Sequence, residues 1–379
     1  MQMFTNPPII AKAESLNSST EIENELSSTV EELLQDIDFD SLEELYVDNY
    51  QIFGETSFKD VVQKLINGEY FSNYDNVFKS VISLIFDGVA QLLPVFLTII
   101  AIAILGSILN NLKSDSKNNV SQIVNFVCYA VIITILVVNF KNVIEVTKNC
   151  LQTMKLQMDS LFPIILTLMS AVGGSVSVSI FKPVVAILSS ATTSLFSYVL
   201  FPLFILSFLF TIIGSLSPNV KLNKLTGFLN SSFKWIVGFI FTLFSSFLAI
   251  QGISAGKYDG VSIKASKFAI KSYIPIIGGY LSEGLDFIML GSVIIKNAIG
   301  VAGLVILFLT ILSPILQLVI LKLGLQLVSG IVESASNVEV SNLVSSCSKV
   351  LMFPIVMILG VAFMYIITIS LMMCTINIF

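Results

Sequence analysis

The sequence contains no histidine and no arginine, so all 20 of its basic residues are lysines. Without histidine the chain has neither an imidazole base nor a histidine ligand for a metal ion, and without arginine it has no bidentate clamp for phosphate. Its four cysteines, at positions 128, 150, 347 and 374, lie in or beside apolar runs and form no C-x-x-C pair. We therefore expect free, buried thiols, and no metal, cofactor or catalytic residue.

Charged residues are also scarce, at 12% of the chain, whereas hydrophobic residues make up 55% and the mean hydropathy is +0.90. An ordinary soluble domain has roughly 25% charged residues. Residues 1–75 contain 16 Asp and Glu against 3 Lys, a net charge of −13, whereas residues 76–379 contain 17 Lys against 9 Asp and Glu, a net charge of +8. The chain therefore divides into an acidic, water-soluble region and a membrane domain over 76–379.

The N-terminal residues 1–13 end in Ala11-Lys12-Ala13, which matches the A-x-A pattern of signal-peptidase sites. Only ten residues, none of them lysine, precede the triplet, whereas a complete signal peptide has a basic segment and an apolar segment of about 7–15 residues. Two interpretations stay open. Either these residues are the remnant of a signal peptide that starts upstream, or the match is chance. Cleavage would place the acidic region, residues 14–75, outside the cytoplasm.

Two short helices are predicted in the acidic region. Apolar residues recur at helical spacing over 20–37, which predicts an amphipathic helix; they are Ile22, Leu26, Val30, Leu33 and Ile37. A second helix is predicted at 57–67, where Ser57 and Asp60 match a capping box and Gly68 ends the helix. The region is either a small solvated helical segment or a docking segment for a partner, and the sequence does not separate these two interpretations.

The membrane domain contains apolar runs long enough to cross a hydrocarbon core of about 30 Å. They lie at 89–111, 121–140, 161–181, 184–214, 233–254, 285–331 and 350–376. Runs that contain proline are either one kinked helix or two half-helices. We therefore predict an all-α, polytopic helical membrane protein with seven or eight crossings.

Lysine-bearing stretches lie between these runs, and we interpret them as amphipathic helices at the lipid headgroups. Examples are Lys141, Lys148 and Lys155, which are seven residues apart and share one helical face. The positive-inside rule expects lysine-rich loops in the cytoplasm. It does not fix the orientation of this chain, because an external N-terminus would leave the three lysines of 141–155 on the outer side of the membrane. We therefore expect that one of these apolar runs does not cross the membrane with the bounds given above.

A weak tandem repeat, over about 121–232 and 233–346, would pair positions in the two halves of the membrane domain, although apolar sequences also align by chance. The paired positions are Pro163 with Pro275, Lys182 with Lys296, Pro202 with Pro314, and Gly173-Gly174 with Gly278-Gly279. Paired broken helices are typical of transporters and channels, where the breaks mark the pathway. The two lysines are candidate pathway residues, with snorkelling at an interface as the alternative. The glycine pairs would permit a chain reversal or close packing, and packing is the favoured role.

Four stretches of the sequence resemble one known family. They are FKDVVQKLINGE (58–69), GGSVSVSIFKPVVAIL (173–188), KLNKLTGFLNSSFKWIVG (221–238) and AIQGISAGKYDGVSIKASKFAIKSYIPIIGGYLSEGLDFIMLGSVIIKNAIGVAGL (249–304). Together they are similar to the stage III sporulation protein AE family of endospore-forming bacteria, from about residue 55 to the C-terminus. Members usually start with a signal peptide, of which this chain shows only a candidate end.

The resemblance implies a multi-pass protein of the mother-cell membrane around the forespore. It would belong to a trans-envelope complex that joins the two cells and is similar in part to specialised secretion systems. The implied partners are a cytoplasmic ATPase, ring-forming membrane proteins and a forespore-side protein. We also expect contact with lipid, would allow for a homo-oligomer, and expect no nucleic acid. The family has no catalytic residues to carry over.

Three functions are therefore compared. The first is a non-enzymatic channel, export-gate or scaffold component of that complex. The second is an independent secondary transporter that binds an anion at Lys182 and Lys296, and this protein would work alone in liposomes. The third, an intramembrane enzyme, is disfavoured because a chain without histidine cannot contain H-E-x-x-H.

Overall fold

The protein is described by a computed structural model that covers residues 26–35, 37, 39, 43, 57–67, 74–112, 119–216, 222–273, 278–335 and 338–375. These residues are almost entirely α-helical, and no strand occurs among them, which confirms the predicted fold class. The helices are α1 (26–35), α2 (Phe58–Ile66), α3 (Tyr74–Leu112), α4 (Asn119–Ala171), α5 (Ser175–Leu195), α6 (Phe201–Leu216), α7 (Asn223–Tyr273), α8 (Gly278–Ser334), α9 (Val338–Val350) and α10 (Met352–Cys374). The triplet at 11–13 lies outside the described residues.

The two predicted helices of the acidic region are present in the described residues. In α1, Val30 and Leu34 are buried whereas Glu31 and Glu32 are exposed, as an amphipathic helix requires. The capping box of α2 is formed, because the Ser57 hydroxyl accepts from the Asp60 amide at 3.1 Å and the Asp60 carboxylate accepts from the Ser57 amide at 3.2 Å. The helix ends at its C-cap, Asn67, and the predicted end at position 68 lies outside the described part.

The apolar face of α1 packs against α8. A Cβ atom added at Gly291 of α8 would lie 3.3 Å from Leu33 Cδ1 and 3.6 Å from Val30 Cγ2 of α1. Helix α2 also packs against α8, and its Phe58 ring lies 5.8 Å from the ring of Phe39. Helices α1 and α2 are therefore attached to the membrane domain, and Glu31 and Glu32 of α1 are exposed on the side away from it.

Six segments of the described chain are long and apolar enough to cross a membrane, namely Val81–Leu109, Phe126–Ala171, Phe196–Ser215, Lys224–Ser246, Gly284–Ser334 and Val338–Cys374. The sequence predicted seven or eight crossings. The number is lower because the run at 121–140 and much of the run at 161–181 belong to one continuous helix, α4. The stretch 141–155, which we expected to be a separate interfacial helix, is the middle of that helix.

Three helices are much longer than a membrane is thick. With 53, 51 and 57 residues, α4, α7 and α8 extend about 80, 76 and 85 Å at 1.5 Å per residue. The hydrocarbon core measures about 30 Å. Each of these helices therefore continues beyond the lipid, or lies at a steep tilt.

Helix α8 is the central element of the bundle, because α2, α3, α4, α7, α9 and α10 all pack against it. A Cβ atom at Gly303 would lie 2.8 Å from Leu161, and Thr310 hydrogen-bonds Gln157. Residues later in α8 thus contact residues earlier in α4, so the two helices are antiparallel. Their facing side chains form the core.

Proline does not end the long helices. Pro163 lies inside α4 and Pro314 inside α8. Pro202 follows a π-helical turn, Phe196–Leu200, in which the Phe201 amide donates to the Phe196 carbonyl five residues back. A proline ring clashes with the carbonyl four residues before it, and a wider turn relieves that clash.

Candidate functional site

The Gly173-Gly174 pair forms the turn between α4 and α5. Gly173 has φ of 86°, in the left-handed region that glycine adopts without a steric penalty. Its amide donates to the Ser170 carbonyl and that of Gly174 to the Met169 carbonyl, both at 2.9 Å. These are the two bonds of a Schellman motif. A Cβ at Gly173 would also lie 3.0 Å from Ile263, so the pair serves both a chain reversal and close packing.

Asp259, on α7, caps the N-terminus of α5 across the bundle. Its carboxylate is fully buried and accepts from the Val176 amide at 2.9 Å and from the Ser177 amide at 3.0 Å. The Ser177 hydroxyl donates to the same carboxylate. A negative charge is favourable at a helix N-terminus, where backbone N–H groups lack internal partners. This one side chain therefore holds α5 and the glycine turn against α7.

Sequence reasoning did not select Asp259. The sequence feature that could have identified this residue is its isolation, since it is the only acidic residue between Asp159 and Glu283. An isolated carboxylate among apolar helices needs a partner that stabilises its charge, and here backbone amides provide it.

Lys296 is buried in the middle of α8 and holds the end of the last helix. Its side chain is 0% exposed, and its ammonium donates to the Thr375 carbonyl at 2.8 Å and to the Met373 carbonyl at 3.1 Å. These carbonyls belong to the C-terminal turn of α10, whose free groups and dipole favour a cation. Lys182, by contrast, is exposed on α5. The described residues show no hydrogen bond that joins the two lysines.

The other paired positions of the proposed repeat also differ in their surroundings. Pro163 is exposed on α4, and Pro275 lies outside the described residues. Pro202 is exposed at the start of α6, whereas Pro314 is half-buried within α8. Gly278-Gly279 begin α8. The tandem repeat stays a prediction.

Buried hydroxyl and amide groups join α8 to its antiparallel neighbours. Gln157 of α4 donates to the Thr310 hydroxyl at 2.7 Å. Ser329 of α8 and Ser341 of α9 donate to each other's backbone carbonyls at 3.0 Å. Such bonds between membrane helices are each worth about 0.6 kcal/mol on average, so they specify the register of the helices more than they stabilise the bundle.

A polar groove runs along the exterior between α4 and α5. We define it by its polar lining, which is Lys148, Gln152, Lys155, Asp159, Ser189, Ser190, Ser194 and Ser197. Lys155 and Asp159 form an ion pair at 3.4 Å, and the Ser189 hydroxyl donates to Asp159 at 2.5 Å. The predicted lysine face of 141–155 thus borders a serine-rich face of α5, which the sequence analysis did not identify.

Cysteines and carboxylates are the side chains of this sequence that could bind a metal ion. In the described part of the chain, no three Cys, Asp or Glu side chains lie together as a metal site would require. All four cysteines are free, with Cys150 and Cys347 buried as predicted, Cys128 half-buried and Cys374 exposed. The pattern G-x-S-x-G does occur, at 252–256, but within α7 rather than at a strand-to-helix elbow.

Comparison with known proteins identifies the family. The family model described as stage III sporulation protein AE matches residues 56–375. The chain belongs to the stage III sporulation protein AE family. The stage III sporulation protein AE of Bacillus subtilis (strain 168) is similar to it, with 25% identity over 276 residues that cover 73% of this chain and 69% of that protein. No solved structure matches the chain at a significant level.

The part matched by the stage III sporulation protein AE family begins just before α2 and extends past α10 to residue 375. The Asp259 cap, the Lys296 contact and the polar groove all lie within it. Helix α1 lies before the matched part, although it packs on α8. The chain is thus a sporulation protein with polytopic membrane character.

Proposed function

We propose that this protein is a non-enzymatic membrane subunit of a trans-envelope, channel-like complex between mother cell and forespore, and that it acts as an export gate or scaffold there. The observation that carries the proposal is the family match over 56–375 together with a bundle of apolar helices longer than a bilayer. Helices of this length leave apolar surface outside the lipid, and other subunits would cover it.

The test is purification of the tagged, full-length protein from membranes of sporulating cells. The proposal expects the other stage III membrane proteins and their ATPase to co-purify, and a deletion strain to stop sporulation after engulfment. A purified protein that is inert alone in liposomes would agree with this role. If the protein purified without those partners from cells in which they are present, the proposal would be wrong.

The alternative, an independent transporter with an anion site at Lys182 and Lys296, gains no specific support. Lys296 already donates to two carbonyls of α10, and Lys182 is exposed. Lys182→Ala is therefore the cleaner variant, because it does not disturb the fold as Lys296→Ala would. Solute flux by the protein alone that falls in Lys182→Ala would favour the transporter.

We also propose that the acidic region is extracytoplasmic. Glu32 on α1 is exposed and suits a Glu32→Cys probe. In non-sporulating cells that produce the protein in the plasma membrane, labelling of protoplasts by a membrane-impermeant thiol reagent would support this side, and labelling only after lysis would reverse it. The exposed carboxylates of α1 would then face the space between the two membranes, where a partner could dock.

A further inference from the structure

The polar groove lies where a lone copy of the chain would be expected to face lipid. It occupies the middle of Phe126–Ala171, a segment apolar enough to cross a membrane, and residues 118–140 and 160–181 on either side contain no charged residue. Its immediate neighbours are apolar and exposed, since Leu156 is 43% and Ile187 is 57% exposed. A polar strip, which Lys141 and Glu145 extend toward the start of α4, therefore borders exposed apolar side chains.

Such a strip is costly in hydrocarbon. Ionisable side chains at membrane depth are stable only when they face water, a cavity or a partner. The charge of Asp159 is balanced by Lys155 at 3.4 Å, and its carboxylate accepts a hydrogen bond from the Ser189 hydroxyl at 2.5 Å. Lys148, one turn from Gln152, is exposed and has no ion-pair partner among the described residues. The internal bonds thus leave one ammonium and several hydroxyls that need water.

The groove has room for water. The space beside Lys155, Asp159 and the serines of α5 is open and measures about 430 Å³, far above the roughly 10–15 Å³ that one water molecule requires. A smaller space of about 40 Å³ continues it past Lys148, Gln152 and Ser197. The serine hydroxyls both donate and accept hydrogen bonds, so they can hydrate either sign of charge.

We infer that the α4–α5 groove holds water and forms the wall of a hydrophilic path through the assembled complex, with a preference for small anions. This inference rests on the proposed role as a channel subunit. The preference follows from the charge of the groove, where two lysines face one aspartate and Lys148 remains unpaired. A hydrophilic anion entering the groove would replace lost hydration with the ammonium and the hydroxyls.

The test measures cysteine labelling by membrane-impermeant thiol reagents added to both sides of membranes that contain the full-length protein. Gln152→Cys, Ser190→Cys and Ser194→Cys report on the groove, whereas Leu156→Cys and Ile187→Cys are controls at matched depth. The background carries Cys128→Ser and Cys374→Ser and retains the buried Cys150 and Cys347. Protein without an added cysteine gives the background rate.

A water-filled groove predicts that the three groove positions react at least about tenfold faster than the two controls, because thiols ionise and react in water and not in hydrocarbon. Fast labelling of all five positions would place this level at the headgroups and overturn the inference. Slow labelling of all five would mean that lipid or another protein fills the groove, and would overturn it too. Detergent-solubilised protein, in which all five should react, verifies that each thiol is intact.

The charge preference has its own readout. At Gln152→Cys an anionic reagent should react at least about fivefold faster than a cationic reagent of similar size, since the Lys148 ammonium lies one turn away. Lys148→Glu should reverse that ratio, and Lys141→Glu, which lies outside the groove, should leave it unchanged. Equal rates for both reagents would refute the anion preference.

The two proposals fail separately. If the groove fails these tests while the same variants still support sporulation and co-purify with their partners, only the further inference is wrong. If the wild-type protein does not co-purify with stage III proteins, the proposed function is wrong, whatever the labelling shows.

Discussion

Replacing Asp259 with alanine should destabilise the membrane domain more than the removal of any exposed acid. The carboxylate is fully buried and accepts from the amides of Val176 and Ser177 and from the Ser177 hydroxyl. Loss of a helix cap costs about 0.5–2 kcal/mol, and a buried donor left unpaired costs about 1–3 kcal/mol. Because the Ser177 amide is buried, we expect Asp259→Ala to lose about 2–4 kcal/mol of unfolding free energy.

Two further variants calibrate this value. Asp259→Asn keeps one side-chain oxygen as an acceptor, so it should lose only about 1–2 kcal/mol. Glu145→Ala is the matched control, because Glu145 is an exposed acid whose ion pair with Lys141 is open to solvent. Such a surface pair within one helix contributes about 0.3–0.5 kcal/mol.

The assay is unfolding of the purified protein in mixed micelles of increasing SDS content, followed by circular dichroism. Hydrogen exchange at the Val176 and Ser177 amides gives a local readout, and both amides should exchange faster in Asp259→Ala. If the alanine variant lies within about 0.5 kcal/mol of wild type, or is indistinguishable from Glu145→Ala, the carboxylate does not cap α5 and the geometry of the α5–α7 contact is wrong.

Two more predictions concern contacts of α8. Gly324→Ala should destabilise the protein by about 1–3 kcal/mol, because the added Cβ would collide with the Phe96 ring of α3. In Gly330→Ala, on the same helix, the added Cβ meets nothing within 4 Å, so this variant should be more stable by up to about 1 kcal/mol. SDS unfolding compares the two variants, and equal effects would contradict the α3–α8 packing. Lys296→Met should raise amide exchange in the last turn of α10 at least about tenfold, because two carbonyls lose a charged donor, and unchanged exchange would show that the ammonium does not hold that turn.

Local features of this fold could be predicted from the sequence because their causes are local. The amphipathic period of α1 and the capping box at Ser57 and Asp60 depend on residues within one turn of each other. The apolar runs were also recognisable, because length and composition alone decide whether a segment can cross a bilayer.

The connection of those runs into long helices was not predictable. Lysines and proline between two apolar runs suggest a break, yet α4 continues through Lys148, Lys155 and Pro163. In a packed bundle, neighbouring helices compensate for the one hydrogen bond that a proline removes. Lys148 is exposed, and the half-buried Lys155 is paired with Asp159, so these lysines do not oppose the helix.

The candidate site was harder to predict, because it depends on contacts between distant residues. Asp259 meets Ser177 across 82 positions of sequence, and Lys296 meets Thr375 across 79. Lys296 could be selected from the sequence because it is a charged residue within an apolar run. Its hydrogen bonds to the end of α10 could not be predicted from that run. The groove requires α5 to fold back along α4, which the turn at Gly173 produces.

The length of α8 also bears on why this chain would need partners. Ile288 and Ile331 are both substantially exposed on it, at 41% and 39%, and 43 residues of helix separate them by about 65 Å. Both could lie within a core of about 30 Å only at a tilt of roughly 60°, whereas membrane helices tilt by about 20° on average. Near the first of them, the exposed carboxylates of α1 beside Gly291 require water. At least one of these two isoleucines therefore lies outside the lipid core, which agrees with the proposed role as one subunit of a larger complex.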